Sequence, residues 1–293
     1  MLKVGIVGLP NSGKSTLFNA LLQRQIADVA EYPFTTIEPN VGVVQAPDPR
    51  LEAISKATGI EKIVPAAIEF IDIAGLVKGA HEGEGLGNQF LGHIREVDAL
   101  LHLVRAFHNP NVVHHEGSPN PERDVKIVEE ELQLAGIEKP TIYVVNVDEK
   151  DLADPKTSIV GAVKISAKLE SELSELSQDE AREYLKELGV SKSGLEKVIT
   201  LCYSLLDLIT FFTVVGGKQA QAWPLRAGET ALSASGIVHT DMQKGFIKVE
   251  VVDWEKLVET TSWKKAMEKG WVRLEGRDYK IADGDVIEFK FST

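Results

Sequence analysis

Gly8-Leu9-Pro10-Asn11-Ser12-Gly13-Lys14-Ser15 decides the fold, because it matches G-x-x-x-x-G-K-[ST] in the right setting. Lys3 to Val7 before it reads as a strand, and Thr16-Leu-Phe-Asn-Ala-Leu-Leu22 after it reads as a helix. The glycines let the backbone curl so that successive N–H groups and a helix N-terminus face phosphates. Asn11, Ser12, Gly13, Lys14, Ser15 and Thr16 are therefore the expected phosphate-binding residues. Lys14 brings positive charge to the β and γ oxygens, and the Ser15 hydroxyl is placed for Mg2+. Asn11 is a further candidate, for holding a monovalent cation such as K+.

Outward from this loop, β-rich runs at Lys3–Val7, Ala67–Ile71, Ala99–Val104, Thr141–Asn146 and Ile159–Ile165 alternate with helical or glycine-punctuated stretches. That alternation predicts an α/β fold with a mostly parallel sheet. The interval Val147 to Ser158 is short for a parallel crossover and is interrupted by Asp154-Pro155, which points to residues missing near Asp154 to Ser158. The strand ending at Ile71 leads into Asp72-Ile-Ala-Gly75, which delivers a carboxylate to the metal and the Gly75 amide to a γ-phosphate. Between the two motifs, Tyr32 to Asn40 is a proline-bounded polar loop in which Thr36 completes the Mg2+ shell. Leu76 stands where many such hydrolases carry a water-orienting glutamine. His114, with His81 behind it, is the candidate to take over that role.

The base is read further along. Guanine-specific relatives of this fold use N-K-x-D, whereas the strand here ends in Asn146-Val147-Asp148-Glu149. The lysine is missing and the aligned acid is a longer glutamate, which favours ATP over GTP. A shift of register that brings Asp148 into play keeps a conventional GTP switch as the alternative. Ser166 and Ala167 supply the last base-side loop.

From Leu173 the sequence turns helical, with capping boxes at Ser177/Glu180 and Ser193/Glu196. The second helix carries Leu195, Val198, Ile199, Cys202, Leu205 and Leu206 on one face, so Cys202 reads as a buried core thiol. After Leu208 short strands at Ile209–Val215, Gly245–Val252 and Asp285–Phe291 surround one helical stretch, Trp254–Lys269. The expected domains are 1–208 and 209–293.

The 293 residues carry 32 basic and 44 acidic side chains, a net charge of −12 that excludes a polycationic nucleic-acid coat. Thr210 to Thr293 holds 12 of each sign, so this neutral module is the more plausible RNA contact. One cysteine excludes an intramolecular disulfide. The most apolar stretch, Ile199–Val215, is too short and polar for a membrane span, and no signal sequence is evident, so a cytoplasmic location is expected.

Taken together, Gly8 to Ser15, Tyr32 to Asn40, Asp72 to Ala80, Gly83 to Leu91, Asn146 to Glu149, Gly236 to Asp241, Lys244 to Ile247 and Glu275 to Asp285 resemble the YchF subfamily of Obg-related P-loop NTPases. The resemblance covers nearly the whole chain. It implies a translation-associated ATPase that binds the ribosome, on its large subunit. It also implies a G domain, a helical coiled-coil arm and a C-terminal TGS domain of β-grasp type. Within it, Leu76 is the apolar residue replacing the catalytic glutamine, His114 is the family histidine, and Asn146 with Glu149 goes with ATP preference. The arm is expected near residues 128–136, yet Gln133-Leu-Ala-Gly136 leads almost at once to the Asn146 strand. Either this chain lacks the arm or residues are missing from it. A nucleotide-gated RNA or protein adaptor with incidental hydrolysis is the reading from another functional class.

Overall fold

The computed structural model describes residues 2–28, 40–46, 48–73, 86–154, 159–215 and 217–292. In chain order the elements are β1 (Leu2–Val7), α1 (Lys14–Asp28), β2 (Val41–Ala46), α2 (Pro49–Thr58), β3 (Lys62–Val64), β4 (Ala66–Asp72), α3 (Leu86–Glu96) and β5 (Ala99–Arg105). There follow α4 (Pro121–Leu134), β6 (Thr141–Asn146), β7 (Val163–Ile165), α5 (Ala167–Leu173), α6 (Gln178–Glu187) and α7 (Gly194–Leu205). The last part holds β8 (Leu208–Val215), β9 (Gln219–Arg226), α8 (Ala231–Val238), α9 (Thr240–Lys244), β10 (Phe246–Asp253), α10 (Trp254–Thr260), α11 (Trp263–Glu268), β11 (Arg273–Glu275) and β12 (Asp285–Phe291). The chain divides into two compact units, Met1–Val44 with Ile68–Leu206, and Gln45–Ala67 with Asp207–Thr293.

The first unit is built on a sheet of order β2-β4-β1-β5-β6-β7. β1 runs parallel to β4 and β5, and β6 runs parallel to β5 and β7. β5, Ala-Leu-Leu-His-Leu-Val-Arg, is buried at every position, as a central strand covered on both faces requires. The carboxyl ends of β1, β4 and β6 therefore open onto the Gly8–Ser15 loop, Asp72 and Asn146. That is where open α/β sheets bind ligands.

Helix ends follow the local chemistry. Asn120 caps α4 by accepting from the Arg123 amide, with Pro121 in the first turn. Both predicted capping boxes form, Ser177 with Glu180 on α6 and Ser193 with Glu196 on α7. Cys202 is fully buried, and burial pushes its thiol up to about 12. Leu205, expected on the same face, is instead 39% exposed, while Leu206 is buried.

One strand bound needs correction: β7 begins at Val163 rather than Ile159, and a 3-10 turn occupies Glu149–Asp151. Residues 155–158, where residues were expected to be missing, lie outside the described residues. Asn146 stands in register with Ile165 in the parallel β6–β7 pair. Through the stretch where the arm was expected, α4 runs unbroken to Leu134 and Gly136 then turns with φ 65°.

The second unit carries a mixed sheet of order β11-β10-β12-β8-β9-β3. β12 runs parallel to β8 and antiparallel to β10, and Ala231 and Ala234 of α8 pack with Phe211, Val249 and Ile287 in its core. The predicted helix at Trp254–Lys269 is two, separated where Thr261 takes φ 61° and Ser262 caps α11. Gln45–Ala67, placed by sequence in the first domain, belongs to this unit for two reasons. β3 pairs with β9, Lys62 opposite Gln219. Arg50 of α2 meets Asp283 at 2.7 Å and lies 5.4 Å from the Phe212 ring centre.

Candidate functional site

The loop after β1 takes the shape that its glycines permit. Gly8 has φ 154° and Gly13 has φ 98°. A Cβ on Gly8 would meet the Leu103 carbonyl at 2.3 Å, so the backbone runs closer to β5 than any side chain allows. Asn11 holds φ 61° and donates from Nδ2 to the Val113 carbonyl at 3.0 Å. The Lys14 ammonium is buried and donates to the Gly8 and Leu9 carbonyls at 3.2 and 3.0 Å.

Lys14 and Asp72 face one another electrostatically. Burial holds the Lys14 ammonium below its ordinary value, with Asp72 pulling the other way. Burial likewise raises the Asp72 carboxyl, opposed by Lys14 and by a hydrogen bond from Ser15. Asp72 Oδ1 is shut away from solvent with no hydrogen-bond partner. An orphaned carboxylate oxygen beside a serine hydroxyl fits Mg2+, which binds proteins through one or two oxygen ligands and takes the rest from phosphates and water. Thr36, Gly75, Leu76 and His81 lie outside the described residues.

At the other end, Asn146 is buried and braces two loops. Its Nδ2 donates to the Ser12 carbonyl at 2.9 Å and its Oδ1 accepts from the Ala167 amide at 2.9 Å. Ser166 caps α5 by accepting from Leu169. A cleft of about 1000 Å³ opens between the loops. It is lined by Asn11, Gly13, Lys14, Ser15 and Thr16 on the phosphate side and by Asn146, Asp148, Glu149, Ser166 and Ala167 on the other. Asp148 accepts from the His108 amide at 3.1 Å, and Glu149 from the Tyr184 hydroxyl at 3.1 Å.

His114 is not among the residues lining that cleft. Its ring is buried, with Nε2 2.9 Å from Asp124 Oδ2 and Nδ1 accepting from the Glu116 amide. Arg123 holds the other Asp124 oxygen at 2.9 Å. With Ser12, His102 and Arg105, the pair lines a small recess behind the phosphate loop.

Comparison with known proteins places this architecture. Residues 3–147 match the family described as 50S ribosome-binding GTPase, and residues 208–292 match the C-terminal family of YchF GTPases, described as Protein of unknown function (DUF933). "Ribosome-binding ATPase YchF" of Bacillus subtilis is 39% identical over 365 aligned positions covering 99% of both chains. The chain belongs to the YchF family. The protein of the same name from Escherichia coli O157:H7 is 38% identical, again over 99% of both chains. The solved Schizosaccharomyces pombe YchF GTPase superposes with a TM-score of 0.82 at 30% identity, covering 99% of this chain and 97% of that one. Since 365 aligned positions exceed 293 residues by 72, at least that many positions of the B. subtilis alignment face gaps in this YchF-family chain.

Of the residues singled out in the sequence of this YchF-family chain, Asn11, Gly13 to Thr16, Asn146, Glu149, Ser166 and Ala167 line the cleft. Sequence reading missed Phe107, His108, Asn109 and Val112 after β5, and Leu188 at the end of α6. No periodic or motif signal marks these loop residues, because only the fold brings them to the cleft.

Proposed function

We propose that this chain is an ATP-preferring hydrolase of the β–γ phosphoanhydride bond whose nucleotide state governs ribosome binding. The observation that carries the reading is Glu149 in a cleft that also holds Lys14 and Ser15, the two residues that Asp72 faces. Relatives are named both as ribosome-binding ATPases and as a GTPase, so the base preference rests on this chain's own residues.

In the proposed cycle, Lys14 and the loop amides hold the β and γ phosphates and stabilise charge as water attacks in line. Mg2+, held by Ser15, Asp72 and Thr36, supplies charge neutralisation on the phosphate oxygens. The Gly75 amide senses the γ-phosphate, and Leu76 takes no part in the chemistry. His114 positions the water, which requires its ring to leave Asp124. Asn11 contributes to a K+ site through its side-chain oxygen, since its Nδ2 is engaged by Val113.

The second unit is proposed to be the TGS module of β-grasp type. Its lysines 244, 248, 264, 265 and 269 are the RNA-facing candidates, although Lys244 and Lys269 already pair with Asp241 and Glu259. The binding partner is the large ribosomal subunit, met in the cytoplasm and without the helical arm, which we assign to positions that face gaps here. Among the described residues no helix is long and apolar enough to cross a membrane.

Calorimetric titration of the protein with ATP and GTP in Mg2+ buffer tests the base reading, and cosedimentation with ribosomes in ATP analogue against ADP tests the coupling. Tighter ATP binding and nucleotide-dependent cosedimentation are expected. Tighter GTP binding hands the base to Asp148 and returns the conventional switch, and cosedimentation indifferent to nucleotide removes the coupling.

A further inference from the structure

The geometry points to Tyr184 on α6 as the residue that sets nucleotide specificity, by holding one oxygen of Glu149 so that the carboxylate cannot serve guanine as a free two-oxygen acceptor. The inference rests on the proposed reading of the base by Glu149.

A glutamate in a short 3-10 turn has three side-chain torsions and no rigid neighbour of its own. Tyr184 supplies one. Its ring packs against the cluster of Leu169, Leu173, Leu185 and Val190, and α6 is pinned at its start by the Ser177/Glu180 capping box. A tyrosine has two side-chain torsions, and here its ring is seated on a core cluster, so the hydroxyl is a fixed donor. That donor meets Glu149 Oε1 at 3.1 Å. Tyr184 does not itself line the cleft, whereas Glu149 does. It therefore acts as a positioning residue.

Guanine recognition by a carboxylate needs two oxygens side by side to accept from N1–H and N2–H. With Oε1 engaged by Tyr184, the carboxylate is held in one orientation and is not free to turn both oxygens toward guanine. Adenine offers a single exocyclic amine to a carboxylate and a ring acceptor where guanine has N1–H, so one free oxygen suffices. The neighbouring carboxylate is drawn the other way, with Asp148 accepting from the His108 amide. The two acids of the turn are thus held by different elements.

The experiment is calorimetric titration with Mg2+-ATP and Mg2+-GTP for the parent, Tyr184→Phe, Glu149→Ala and the double variant. Phenylalanine keeps the ring packed on its cluster and removes only the hydroxyl. Tyr184→Phe is expected to narrow the ATP-over-GTP ratio about three- to tenfold, the worth of one net hydrogen bond, chiefly by tightening GTP. In the Glu149→Ala background the same change is expected to do nothing. An unchanged ratio in Tyr184→Phe while Glu149→Ala alters it overturns the Tyr184 assignment alone. An equal Tyr184→Phe effect with and without Glu149 also overturns it, because the tyrosine then acts by another route. An unchanged ratio in Glu149→Ala overturns the base reading and this inference with it.

Discussion

A methyl group on Gly13 would lie 2.3 Å from Nδ2 of Asn146, the same nitrogen that donates to the Ser12 carbonyl. The phosphate loop and the base-side turn are therefore in direct contact through one glycine and one amide. Asn146 then reaches on to the Ala167 amide, so three loops from three strand ends share a single buried side chain.

Gly13→Ala is expected to weaken nucleotide binding and to cost about 1–3 kcal/mol, since it adds a clash at φ 98°, where L residues are strained. Asn146→Ala removes the obstacle but leaves the Ser12 carbonyl and the Ala167 amide unpaired, each worth about 1–3 kcal/mol. The double variant should be less damaged than the sum of the two, because the alanine no longer meets Nδ2. Chemical denaturation of the three variants checks this, and strictly additive losses would refute the shared contact.

Lys14→Ala should abolish the thermal shift that Mg2+-nucleotide confers, by removing the charge that meets the phosphates. Without nucleotide the change should be mild, since burial already disfavours the ammonium. Differential scanning fluorimetry with and without nucleotide separates the two effects. A variant that keeps the parental shift would mean that the loop amides alone hold the phosphates.

How much of this was legible in the sequence depends on whether a residue's partner is near in the chain. Gly8, Gly13 and Lys14 announce themselves because a turn and a helix start have fixed local spacing, and Ser177/Glu180 and Ser193/Glu196 do so for the same reason. Arg50 and Asp283 are 233 positions apart. Nothing local says that α2 and β3 complete the second sheet, so the linear division at 208/209 misplaced them. Val41–Ala46 and Gln219–Arg226 were missed because glycine and Pro224 interrupt their patterns, and tertiary pairing overrides such weak propensities. His114 is a candidate by position, but its burial against Asp124, ten positions on, depends on the segment between them folding back onto α4.

His114→Ala is expected to slow single-turnover hydrolysis about 100-fold while leaving the nucleotide Kd within about twofold, the signature of a group that positions the water rather than binds the nucleotide. It should also lower stability by about 1–3 kcal/mol, because the Asp124 carboxylate loses a buried hydrogen-bond partner although Arg123 stays paired with it. Parental turnover with reduced stability would make His114 a packing residue whose only role is to hold the loop behind Ser12.

His102, buried behind the nucleotide loop and within reach of the Lys14 charge, gives the protein a sensitivity to acid. The ring lies in the fully buried β5, tilted against Tyr143 at 5.8 Å, and burial followed by the charge of Lys14 lowers its pKa to about 3. In the unfolded chain it titrates near its ordinary value of 6.5. Between these values the unfolded state binds the extra proton, so stability must fall as pH drops from about 6.5 toward 3, by up to about 1.4 kcal/mol per unit. Above 6.5 both states are neutral at this position and its contribution is flat. His102→Leu removes the titration, so urea midpoints of parent and variant should run parallel above neutrality and converge or cross as the pH is lowered. In a Lys14→Ala background the fall should level off at a higher pH, because one of the two causes of the lowered pKa is gone. Curves that stay parallel from neutral pH down to 4.5 would show that another group carries the acid response.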